Sequence, residues 1–199
     1  MKKRIIVLAT GIILGATPLL ATELTPEVKA TAAAGRLALE IRKSLTPSIQ
    51  KNGWGGSMDL CVKDVPATIT SLEKSFGLTM RRTSLKVRNP ANSPDGAEKA
   101  VLEKLDGMLK GGEPFSQEVT LFSRTESGKE RTLRYYKPVM MQSTCVGCHG
   151  TPENIPADVK KILATRYPKD KGVGYKEGEL RGIISITVKE KIPEGEVTK

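Results

Sequence analysis

The sequence predicts an α+β fold, with helices first and then a small, mostly antiparallel sheet. Three observations carry that expectation. Residues 25–51 open on Thr25-Pro26-Glu27 and then repeat apolar residues at helical spacing. Residues 115–141 alternate in the manner of two strands around the turn residues Glu126-Ser127-Gly128-Lys129. Residues 181–189 are rich in β-branched side chains, with Ile183, Ile184, Ile186 and Val188.

The 199-residue chain begins with Lys2, Lys3 and Arg4, followed by an apolar stretch from Ile5 to Leu20. Gly11, Gly15 and Pro18 interrupt that stretch, and Ala21 supplies a small residue for cleavage. Residues 1–22 therefore read as a secretory signal peptide, and residues 23–199 as one domain. Leu19 is large for the position three before the cleavage site. An uncleaved anchor is thus the alternative, although the stretch is short for a membrane span. The expected location is the periplasm or another exported compartment of a bacterium.

In the first helix, Thr25 reads as the N-cap and Pro26 as the first helical residue. Leu37, Ile41 and Leu45 recur along one face, the run Ala30–Ala34 favours helix, and Pro47 reads as a bend or end. Gly53-Trp54-Gly55-Gly56 reads as a break. A second helix is expected from Ser57 to Ser75, kinked or split at Pro66 and closed by Gly77. Leu78–Val87 reads as a strand, and Arg88–Pro94 as turn chemistry. A third helix is expected from Asp95 to Lys110, ahead of Gly111-Gly112. Strands Phe115–Ser123 and Arg131–Met141 follow, then a short helix Ala157–Arg166, a glycine-rich loop, and the last strand Arg181–Lys189.

The formal net charge is +10, of which Lys2, Lys3 and Arg4 supply three. The remaining basic residues are dispersed and aromatics are few, so a solvated basic surface is expected and nucleic-acid binding is not. The charge suits docking to an acidic redox partner or to anionic lipid.

The chemistry concentrates at Cys145-Val146-Gly147-Cys148-His149-Gly150, which is the attachment signature of a c-type haem. Two thiols at this spacing add across the two vinyl groups of a porphyrin, and the adjacent imidazole reaches the iron. His149 is the only histidine in the chain. Two other readings compete. Cys145 and Cys148 could form a redox disulfide, which leaves the histidine unexplained. Cys61, Cys145, Cys148 and His149 could bind structural zinc, but Cys61 stands alone where zinc sites pair two short motifs. The expected cofactor is one covalent haem c.

Around this motif the chain resembles the Tll0287-like (DUF3365) family of c-type haem domains. The resemblance rests on Arg81-Arg82-Thr83-Ser84, Arg88-Asn89-Pro90-Ala91-Asn92, Pro138, the Cys145–Gly150 motif, Tyr167-Pro168-Lys169-Asp170 and Gly182, in order across residues 60–188. It implies a PAS-like, mostly antiparallel sheet with long N-terminal helices and one haem. It also implies that a cysteine upstream of the arginine motif is the distal iron ligand, which falls on Cys61. Gly172-Val173-Gly174-Tyr175 stands where the family often has an alanine-threonine-glycine-tyrosine stretch.

The residues themselves leave the distal ligand open. With one histidine, bis-histidine ligation within the chain is excluded. Cys61, one of Met58, Met80 and Met108, or an open site remain. Met58 and Cys61, three apart on the expected second helix, would share a face. A buried, inert Cys61 is the structural alternative. Arg82 and Arg88, within the basic run Arg81, Arg82, Lys86 and Arg88, are expected to contact the haem propionates.

No nucleophile–base–acid set stands out, so an enzyme is not expected. Two functions survive. One is a haem-based redox or gas-ligand sensor, acting with a separate signalling partner because Lys189–Lys199 reads as a polar tail. The other is a periplasmic electron-transfer cytochrome with a redox partner.

Overall fold

Thr25 begins the first helix with an extended backbone (φ −62°, ψ 156°), and its hydroxyl accepts from the Val28 amide at 3.4 Å. Helix α1 spans Pro26–Gly56 in the computed structural model, which describes residues 24–113, 121–127 and 129–192. The expected signal peptide lies outside these residues. Among the described residues no helix is long and apolar enough to cross a membrane. Ala30, Ala33, Ala34 and Leu37 form the buried stripe of α1, where small side chains let the helix lie close to the sheet. Pro47 is carried inside the helix, and regular geometry is lost instead at Gly53 (φ 70°, ψ 178°). That backbone conformation is open to glycine and strained for other residues.

The expected second helix is split, as Pro66 foretold. A π turn, Leu60–Asp64, carries Cys61, and α2 then runs Val65–Phe76 with Pro66 in its first turn. Gly77 ends α2 in the left-handed conformation (φ 64°). Strand β1 covers only Thr79–Thr83, because Ser84 and the residues after it turn away toward a 3₁₀ turn at Pro90–Asn92. Helix α3, Gly96–Lys110, starts with a reciprocal cap in which the Asp95 carboxylate accepts from the Glu98 amide and Glu98 from the Asp95 amide. Strands β2 (Leu121–Ser127) and β3 (Glu130–Met140) form the expected hairpin. Residues 115–120 of the expected strand Phe115–Ser123, and Gly128 of the turn after it, lie outside the described residues. Helices α4 (Ser143–His149) and α5 (Ala157–Arg166) precede β4, Leu180–Lys191.

The four described strands form one antiparallel sheet in the order β1-β4-β3-β2. The α+β architecture is thus the expected one. Side chains alternate between its faces. Met80, Leu133, Tyr135, Ile184, Ile186 and Val188 pack under α1 and α2. Tyr136, Leu180 and Ile183 pack against Leu102 and Leu105 of α3 on the other side. Arg82 follows Met80 by two and therefore takes the α1/α2 face. Residues 142–179 leave the sheet between β3 and β4 and are closed at their base by two hydrogen bonds. The Met141 amide donates to the Glu179 carbonyl at 2.8 Å, and the Gly178 amide to the Met141 carbonyl at 2.9 Å. This excursion carries the Cys145–Gly150 motif and packs through its own small core of Met58, Ile155, Val159 and Leu163.

Ile186 is fully buried at the centre of the larger core. Replacing it by alanine should cost about 2–5 kcal/mol of stability, read as a lower urea midpoint with an unchanged m-value.

Candidate functional site

Placing the motif on a helix gives it a geometry that its linear spacing alone does not. Cys145, Cys148 and His149 lie at positions i, i+3 and i+4 of α4 and share one face. The intervening Gly147 sits against the Trp54 indole, which occupies the space a Cβ would need. Trp54 comes from the segment after the Gly53 break, so the end of α1 packs directly on the motif. Gly150 caps α4, its amide donating to the Val146 carbonyl at 2.8 Å, and a Cβ there would collide with that same carbonyl.

The imidazole is held by a frame of backbone carbonyls and one ion pair. His149 Nδ1 lies 2.7 Å from the Gly172 carbonyl oxygen. A carbonyl only accepts, so Nδ1 carries the proton and Nε2 keeps its lone pair for a ligand. The Arg88 guanidinium donates through Nη2 to the Cys148 carbonyl at 2.5 Å and to the Gly172 carbonyl at 3.2 Å. Its Nε donates to Asp170 Oδ2 at 2.9 Å, and Asp170 Oδ1 accepts from the Gly172 amide at 2.7 Å. The Gly174 and Tyr175 amides complete the seam, donating to the carbonyls of Gly150 and His149. Gly174 adopts a positive φ of 77°, which the glycine at this position permits.

Cys61 reaches the same region from the π turn. Cys145 acts on the ionisation of Cys61, and both Cys61 and Cys145 act on that of Cys148, while Arg82, Arg88 and Arg181 act on Cys61 as well. Burial pushes the Cys61 thiol up, against the pull of these guanidiniums. Burial also pushes Cys148 up to about 11. His149 is held well below the ordinary imidazole value by burial, and next by Arg181 and Arg88. All three cysteines are free thiols. Among the described residues no three His, Cys, Asp or Glu side chains converge on a point that could hold a metal ion. The donors therefore surround a common region without forming the compact tetrahedron that zinc requires.

The two arginines expected beside the propionates differ in their surroundings. Arg88 is engaged by Asp170, Cys148 and Gly172. Arg82 has the Cys61 thiol and the Tyr167 hydroxyl as its electrostatic neighbours, and no carboxylate among the described residues. Arg181, which sequence reasoning missed, is a third cation of the site. It donates to Ser84 Oγ at 2.7 Å, lies 5.3 Å from the Tyr175 ring centroid, and leaves its buried Nε unpartnered. Trp54, Asp170 and Gly172 were likewise not singled out as site residues. Asp170 and Arg88 are 82 residues apart and pair only through the fold. Of the methionines weighed as ligands, Met58 lies in the small core beside α5, Met80 in the larger core, and Met108 on α3, the helix whose Leu102 and Leu105 pack on the opposite sheet face.

This donor set fits an iron porphyrin. Cys145 and Cys148 would take the vinyl groups and His149 Nε2 the iron. Arg82 and Arg181 offer positive charge that no acidic residue described here neutralises, as a ring bearing two propionates requires.

The comparisons with known proteins agree with this picture. The family model described as Tll0287-like matches residues 22–189. The chain is similar to the crystal structure of the cyanobacterial heme-protein Tll0287, with a TM-score of 0.58 and 19% sequence identity over 83% of this chain and 96% of that one. No curated protein matches.

Two outcomes follow from the geometry. A Gly147→Ala substitution forces a Cβ into the Trp54 ring, so stability should fall by about 1–3 kcal/mol. The emission of Trp54, the only tryptophan, should shift to the red. The haem-free chain should also be most stable in a window set by buried neutral groups. His149 titrates in the fold well below its ordinary 6.5, so its contribution is present above about 6.5 and is lost as pH falls below it. Cys148, at about 11 against an ordinary 9.0, contributes fully below 9.0 and is lost as pH rises toward 11. Urea midpoints measured between pH 5 and pH 11 check both limbs.

Proposed function

The chain belongs to the Tll0287-like family, and we propose that it is an exported monohaem c-type protein acting as a redox or gas-ligand sensor module. Cys145 and Cys148 attach the haem, His149 is the proximal ligand, and Cys61 is the distal one. The observation that carries this reading is the convergence of all three cysteines, the single histidine and three guanidiniums from five parts of the chain. The relative of similar fold is itself a heme-protein, and the basic lining suits an anionic porphyrin.

The bound group supplies a one-electron couple and an axial position that exchanges ligands. The protein's own residues decide how that position behaves. His149 is fixed in one tautomer by Gly172 and cannot swing away. Cys61 sits on a π turn, an irregular element that frequently marks functional positions in helices. Its burial favours the neutral thiol, while the neighbouring Arg82 favours the thiolate. A thiolate ligand stabilises the ferric state and lowers the potential relative to methionine. With haem bound, a Cys61 poised between thiol and thiolate would hold the iron less firmly once protonated, which would leave room for carbon monoxide or nitric oxide. A two-state local change of this kind is what a sensor needs, and a signalling partner protein would read it. The chain's only histidine is taken by iron, so we read no enzymatic activity into the site.

The test is absorption and electron paramagnetic resonance of the wild type and Cys61→Ser in both oxidation states. The expected ferric wild type is low-spin with a thiolate signature that the substitution abolishes, and the ferrous protein binds carbon monoxide. Spectra identical in the two proteins would remove Cys61 from the iron. A six-coordinate haem that refuses carbon monoxide in both states would favour a periplasmic electron carrier.

A further inference from the structure

We propose that Arg88, held by Asp170, is a positioning residue for the proximal histidine and does not serve as a propionate anchor. This inference rests on the assignment of His149 as the iron ligand. Its basis is that Arg88 and His149 donate to the same atom. The Gly172 carbonyl oxygen accepts from His149 Nδ1 at 2.7 Å and from Arg88 Nη2 at 3.2 Å. The same Nη2 donates to the carbonyl of Cys148, one residue before the histidine. One guanidinium therefore ties the end of α4 to the loop that orients its imidazole.

Asp170 completes the device. It accepts from Arg88 Nε through one oxygen and from the Gly172 amide through the other. The peptide units on both sides of Gly172 are thus fixed to a single ion pair. That pair is largely shielded from solvent, with the Arg88 and Asp170 side chains 13% and 9% exposed. A shielded, charge-assisted pair with good geometry is a rigid element, and removing one partner leaves a costly uncompensated charge. The chain neighbours of the pair add a backbone bond, in which the Lys171 amide donates to the Val87 carbonyl at 3.0 Å.

Sharing the acceptor has an electronic consequence. A carbonyl already engaged by a guanidinium has less electron density to offer the imidazole N–H. The imidazole then has less imidazolate character and is a weaker donor to ferric iron. Arg88 thereby holds the ring in place while limiting how strongly it pushes on the metal.

The experiment uses the haem-loaded protein and its Arg88→Lys and Asp170→Asn variants. Arg88→Lys keeps the positive charge and loses the fork. Asp170→Asn keeps the shape and loses the negative charge. Amide exchange at Gly174 and Tyr175, ferric resonance line widths and the midpoint potential are read together. Both variants are expected to speed exchange at these amides by about tenfold or more. Both should also broaden the ferric signal, because the ring samples several orientations. Wild-type exchange and line widths in both variants, with a potential shift confined to Asp170→Asn, would overturn the proposal and leave the pair as local charge alone. Should Arg88→Lys fail to fold, Asp170→Asn decides by the same readouts. Should the wild type carry no haem, the functional reading fails separately. Amide exchange in the haem-free chain then still reports whether the ion pair holds the Gly172 loop.

Discussion

The Arg88–Asp170 ion pair is the constraint on which the rest of the site depends. It joins the segment leaving β1 to the segment that returns toward β4, across 82 residues. Most other ion pairs among the described residues lie between solvent-exposed side chains, where screening leaves them little weight. This one is shielded and surrounded by backbone acceptors. The Gly172 carbonyl that accepts from His149, and the Cys148 carbonyl just before it, are both attached to this pair. The excursion from 142 to 179 contributes few residues to the sheet core. Its conformation relative to the sheet is set by this pair, by the closing bonds at Met141, and by the contact between Trp54 and Gly147.

The parts of the protein legible in the sequence are those set by local rules. Thr25-Pro26 marks the start of α1 because an N-cap and a first-turn proline act within a few residues. Gly53 marks its break and Gly77 the end of α2 for the same reason. The bounds of α5, Ala157–Arg166, were readable from its composition and the flanking prolines. The haem motif was readable because its three reactive side chains fall within residues 145–149. Helix α4 was not read, since cysteine, glycine, valine and histidine are poor helix formers and the segment has no apolar period. Tertiary contacts with Trp54 and the 172–175 loop hold it helical.

The frame around the motif was illegible for a related reason. Asp170 and Tyr175 were noted only as members of the stretches compared with the family, and Arg181 only as the start of a strand. Their roles arise when β4 and the loop before it are brought against residues 84–88. Ser84 Oγ lies 3.2 Å from the Tyr175 hydroxyl and 2.7 Å from Arg181 Nη1, and no periodicity or spacing encodes such a meeting. The fragments that carry the family resemblance are scattered over about a hundred residues of sequence. In the fold, Ser84, Arg88, the Cys145–Gly150 motif and Asp170 meet in one network. Order along the chain was enough to detect the family, while the reason for that order lies in space.

The charge balance of the site bears on which of its two states the protein favours. Arg82, Arg88 and Arg181 bring three positive charges and Asp170 one negative. With the proposed haem bound, two propionates and a Cys61 thiolate oppose the single positive charge of the ferric porphyrin. Site and cofactor then come close to neutrality. Adding an electron breaks that balance by one negative charge in a region that burial has largely desolvated, where an uncompensated charge is costly. The least demanding remedy is a proton on Cys61, whose thiol form burial already favours. Protonation weakens sulfur as a ligand, so a haem held as proposed would lose Cys61 more readily once it had taken up an electron. His149 cannot relieve the imbalance, because Gly172 holds its Nδ1 proton and the neighbouring guanidiniums oppose a second. The surroundings thus hold the imidazole in place while favouring the neutral thiol at Cys61. In the proposed reading, that asymmetry is what would let the cysteine side change while the histidine side stays fixed.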